Sequence, residues 1–131
     1  MKIQSNQQNF GTRVLMRPGT KEIIEKSKAQ KEIFKQVENL KNNGVDDFLI
    51  LSHNEVKSVP HINAEIVEFI GEKCHINSFS KGYPLLEMVS KGERKYLNIE
   101  SVYKLSKVKM VEVGMITRNL FDTMLHEYQE I

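Results

Sequence analysis

The chain has 131 residues, the size of one ordinary domain, and two separate cores would each be about half that size. Ten Leu, twelve Ile, eleven Val and six Phe are enough apolar residues to exclude a disordered chain. Nineteen basic against seventeen acidic residues leave a net charge of +2, too small for a histone-like or polyanionic role.

No apolar run exceeds Phe48 to Leu51, so no segment is expected to span a membrane. Met1 to Phe10 is polar, with no apolar stretch of the secretory kind. The single cysteine, Cys74, fits a reducing compartment, so a cytoplasmic location is expected.

Residues 1–11, rich in Gln and Asn, read as a flexible tail ahead of one domain over 12–131. Thr12 to Arg17 reads as a short strand closed by Pro18-Gly19. Thr20 then has the character of an N-cap for one long helix from Lys21 to about Asn42, stopped by Gly44. Ile23, Ile33, Phe34, Val37 and Leu40 form its apolar stripe. Phe48 to Leu51 reads as a buried strand, and the stretch to His61, with Pro60, as a loop or irregular edge.

Ala64–Ile70 and Lys73–Phe79 flank Gly71-Glu72 as a hairpin with a type II′ turn. That loop pairs Glu68 with His75 and puts Val67, Phe69, Cys74 and Ile76 on one face, with a polar face opposite. Leu85–Ser90 and Arg94–Ile99 suggest a second hairpin around Lys91-Gly92, gathering Leu86, Met88, Leu97 and Ile99. Helix competes with strand over 93–107, and strand is ranked first. Val111 to about Gln129 carries helical apolar spacing. The order implies an α+β fold of five to six short strands in an antiparallel sheet. The long first helix and the C-terminal helix would cover one face, and the face carrying Glu68 and His75 would be open.

No phosphate loop, dinucleotide fingerprint, nucleophile elbow, zincin motif or CxxC pair is present, and no cofactor is expected. Cys74 and His75 are adjacent but point to opposite faces of a strand, so Cys74 is expected to be inert core. Glu68 and His75, as cross-strand neighbours, are the acid–base candidates if a cleft covers them; an ordinary surface ion pair would look the same. His53, His61, Glu55, Asp46 and Asp47 match no metal-ligand spacing, and no metal is assigned.

Charge is segregated: residues 1–42 carry +5, 43–72 carry −5 and 73–131 carry +2. Lys21, Lys28, Lys31 and Lys35 fall into one column on the expected helix, which Arg13 and Arg17 could extend toward a nucleic-acid phosphate backbone. Glu25 and Glu32 stand beside that column, and no aromatic offers a stacking surface. The C-terminal stripe is broad: Val113, Ile116, Leu120, Phe121, Met124 and Tyr128 are candidates for a partner or homodimer interface. The leading expectation is a small binding protein acting through a protein partner or self-association. Nucleic-acid binding and a small enzyme using Glu68 and His75 are the alternatives.

Overall fold

The computed structural model describes residues 11–78 and 82–131, with the backbone alone for 78 and 87–90. Residues 1–10, and with them the expected flexible tail, lie outside the described residues. Gly11, at the end of that tail, is buried, and a Cβ there would sit 1.7 Å from the Lys41 carbonyl oxygen.

Strand β1 (Arg13–Met16) is apolar on both faces, and so is the first half of β2 (Phe48–Val56). Strands of that kind are buried between two layers. They pair in parallel, Arg13 opposite Phe48 through Met16 opposite Leu51. A parallel pair needs a crossover, and helices α1 (Thr20–Glu25) and α2 (Gln30–Lys41) supply it.

The one long helix expected here is therefore two. The Ser27 hydroxyl donates to the Ile24 carbonyl at 2.7 Å and accepts from the Ala29 N–H at 3.2 Å, replacing helix-ladder bonds with local ones. The geometry of the stripe also requires a break. Ile24 and Ile33 would point to opposite sides of an unbroken helix at 3.6 residues per turn, yet both are fully buried. Thr20 is not the cap, since that position falls to Gly19, whose φ is +89°.

Strand β2 turns back directly into β3 (Val59–Ile70), where a loop was expected. The two-residue turn is Lys57-Ser58, with φ of +53° and +65°. Positive φ at both positions marks a type I′ turn, which favours Asn-Gly and costs other residues about 1–2 kcal/mol each. Neither Lys nor Ser announces such a turn. Converting the pair to Asn-Gly (Lys57→Asn with Ser58→Gly) should raise the unfolding free energy by about 1–2 kcal/mol in urea denaturation. An unchanged midpoint would show that the turn is unstrained.

The hairpin of β3 with β4 (Lys73–Ser78) has the expected register, including Glu68 opposite His75, and Gly71 has φ of +64°. Two-residue β5 (Tyr83–Pro84) pairs with the early part of β3. Strands β6 (Leu86–Ser90) and β7 (Glu93–Tyr96) form the expected second hairpin, as a separate two-stranded sheet. Its second strand ends at Tyr96, opposite Leu86, so Leu97 and Ile99 of the expected apolar grouping fall beyond it, and the Met88 side chain lies outside the described residues.

From Ile99 the chain is helical, not extended: α3 (Ile99–Lys107) is capped by Asn98, whose Oδ1 accepts from Ser101 N at 2.9 Å. Gln36 of α2 completes the cap, its Oε1 accepting from Ile99 N at 2.5 Å and Glu100 N at 3.3 Å. The expected C-terminal helix is shorter than its stripe. Val111–Val113 forms strand β8, α4 covers Arg118–Met124 with one 3-10 turn after it, and Gln129–Glu130 forms strand β9.

The main sheet has the order β9-β1-β2-β3-β4-β8, with β5 beside β3, and apart from β1–β2 every pair is antiparallel. The α+β class thus stands. The layering differs from expectation, because both faces are covered. Leu49, Leu51, Ile62, Ala64 and Ile66 pack under α1, α2 and α3, so the strand face that carries Glu68 and His75, expected to be open, is covered. Leu15, Phe48, Ile50, Val67 and Cys74 pack on the opposite face under Phe121 of α4. No described helix is long and apolar enough to cross a membrane.

Candidate functional site

The nominated Glu68 and His75 are backbone neighbours, but their side chains find other partners. Lys107, at the end of α3, reaches under the sheet and places Nζ 2.8 Å from Glu68 Oε1 and 2.8 Å from Asp47 Oδ2. His75 Nε2 lies 4.0 Å from Glu112, and its buried Nδ1 has no hydrogen-bond partner among the described residues. Asp47 is fully buried and also accepts from the Thr12 hydroxyl at 2.6 Å and the Tyr103 hydroxyl at 2.5 Å. Asn43 closes the cluster, donating to Thr12 Oγ1 at 2.8 Å. The cluster fastens α3 to β2 and β3 and leaves Glu68 occupied.

Burial opposes the charge on Lys107, but its hydrogen bonds to Asp47 and Glu68 outweigh that and hold its pKa above the ordinary lysine value. Burial, helped by the hydrogen bond to Asp47, pushes the Tyr103 phenol from 10.0 up to about 12. A raised folded pKa stabilises the fold fully below the unfolded value, and the contribution fades as pH rises through the folded one. An ultraviolet titration should therefore show one phenol ionising near pH 12, absent in Tyr103→Phe. Ionisation of that phenol near 10.0 while the protein remains folded would mean the cluster is open to water.

The basic candidates are split by the fold. Lys31 and Lys35 stay one turn apart on α2, but Lys21 lies on α1 and Lys28 in the link between the helices. Arg13 and Arg17 share the other sheet face, where Arg13 pairs with Glu130 at 2.7 Å and stacks over Phe48, and Arg17 stacks over Tyr128. The hydrogen bond to Glu130 holds the Arg13 pKa up and that of Glu130 down.

The C-terminal candidates also separate. Phe121 is 2 % exposed, its ring 4.7 Å from that of Phe48 in an edge-on contact. Ile116 and Tyr128 pack beside it, Val113 and Met124 are half-buried, and Leu120 is 48 % exposed. Cys74 is buried as expected, and burial pushes its thiol pKa up. His53 and His61 occupy opposite faces of the β2–β3 hairpin, His53 Nδ1 lying 2.8 Å from the Thr20 hydroxyl and His61 Nδ1 2.9 Å from the Val59 carbonyl. Among the described residues no group of three His, Cys, Asp or Glu side chains converges as a metal site.

A cleft of about 630 Å³ opens between the α1–α2 link, the tip of the β2–β3 hairpin and the β6–β7 ribbon. Its floor is aliphatic: Ile23, Val59, Pro60, Leu85 and Leu86. Lys26 and Lys28 from the link and Arg94 from β7 stand on its rim, with Glu55 as the one carboxylate among the described residues. Among the described residues none of the three cations forms an ion pair. Of these residues the sequence nominated only Lys28, in the lysine column, and weighed Glu55 without assigning it to a metal. They lie on four stretches of the chain (23–28, 55–60, 85–86 and 94), and only the helix break and the hidden turn bring them together. No protein-family model matches the chain, and no curated protein or solved structure matches it significantly.

Proposed function

We propose that this chain works by binding a partner and that the cleft beside α1 is its binding seat. The supporting observation is the lining: an aliphatic floor edged by three cations that form no ion pair among the described residues. A volume of about 630 Å³ lies within the 300–1,000 Å³ of ordinary ligand sites, which combine apolar walls with a few polar groups. The sequence-nominated acid–base pair supports the same reading, since Glu68 is held by Lys107.

Self-association through the C-terminal segment is a second reading, favoured by Leu120 at 48 % and Met115 at 88 % exposed. Photo-crosslinking in living cells separates the two. A crosslinker replacing Val59 should give adducts, and one replacing Leu120 should give none. Adducts from Leu120 alone, at twice the monomer mass, would favour the homodimer and refute the cleft.

A further inference from the structure

We infer that the occupant of the cleft is a small anionic amphiphile: an aliphatic body ending in a carboxylate or a phosphate. The inference rests on the cleft being the binding seat. Its charge selection comes from Lys26, Lys28 and Arg94, which among the described residues outnumber Glu55 by three to one around one mouth. Among the described residues these cations have no ion-pair partner, which leaves them to meet an anion from outside. The floor selects the body. Ile23, Pro60 and Leu86 are half-buried and Val59 is 43 % exposed, so apolar area remains for a ligand to cover. Among the described residues no aromatic side chain lines the cleft to stack on a nucleobase, whereas an alkyl chain needs only the aliphatic contact that is present.

The test uses the full chain, isotope-labelled at Ile, Leu and Val methyls, and three probes below their micelle concentrations: decanoate, decanol and decyltrimethylammonium. Decanoate should shift the methyls of Ile23, Val59 and Leu86 and bind about tenfold more tightly than decanol. Each rim cation is expected to contribute a factor of about two to five. Decyltrimethylammonium should bind more weakly than decanol. Exchanging the three cations together (Lys26→Gln, Lys28→Gln and Arg94→Gln) should reduce decanoate to the affinity of decanol and leave decanol unchanged. All three side chains are exposed, so the variant should keep its fold.

Equal binding of decanoate and decanol in the cleft would overturn the inference while leaving the cleft as a binding seat. No cleft methyl moving with any probe would overturn both. A dimer that protects the cleft methyls, or an acidic apolar peptide binding there more tightly than decanoate, would also overturn it. In either case the occupant would be a protein.

Discussion

Replacing Lys107 by Met should lower the unfolding free energy by about 3 kcal/mol, toward the lower end of the 3–5 kcal/mol seen when a buried pair is broken. The Asp47 side chain has no solvent exposure, whereas that of Lys107 is 22 % exposed, so water can soften only the lysine end. Without the ammonium, Asp47 keeps hydrogen bonds from Thr12 and Tyr103 but has no opposite charge, and its desolvation is uncompensated. Combining Lys107→Met with Asp47→Asn should cost less than the sum of the two single changes, because the second removes the stranded charge. The wild-type advantage should persist below the ordinary lysine value of 10.5 and fade as pH rises through the elevated folded value. Urea unfolding of the four proteins gives the cycle. A loss below about 1 kcal/mol for Lys107→Met would place the pair among exposed ones, where the Coulomb gain is small.

Phe121→Ala should cost about 3–5 kcal/mol, as expected for an aromatic removed from a closed core. The ring fills the space between Phe48, at 4.7 Å, and Phe69, at 5.5 Å, and nothing else described on α4 is buried. Leu120→Asp, one residue earlier, should change stability by no more than about 0.5 kcal/mol because its side chain faces solvent. The contrast gives opposite roles to two neighbours that the sequence placed in one interface. Equal and small effects would mean that α4 is not docked on the sheet.

Legibility followed the periodicity of each segment. The β3–β4 hairpin was readable because Gly71 has the φ that its turn demands and the alternation around it is regular. The β2–β3 hairpin was hidden because Lys57-Ser58 forms a turn that its side chains disfavour, and Pro60 sits within a strand. The α1–α2 break left a local trace in Ser27, but only the burial of Ile24 opposite Ile33 explains it. The apolar spacing over 93–107 fits both strand and helix, and the Asn98 cap, which decides for helix from Ile99, was not part of that reading. Val111-Glu112-Val113 alternates like the strand it forms, within a longer run whose spacing also fits a helix. Lys107 could not be linked to Glu68 and Asp47 by pattern at all, since the three meet only through packing of α3 on the sheet. The cleft shares that property. Its cations come from the link and from β7, and no local spacing joins them.

Methyl NMR of the labelled protein in concentrated extract of its own cells tests the cleft most directly. The methyls of Ile23, Val59 and Leu86 should shift or broaden, and those of Val113 and Leu120 should keep their positions in buffer. Unmoved cleft methyls, with shifts at Val113 and Leu120, would contradict the account and put the working surface on the C-terminal segment.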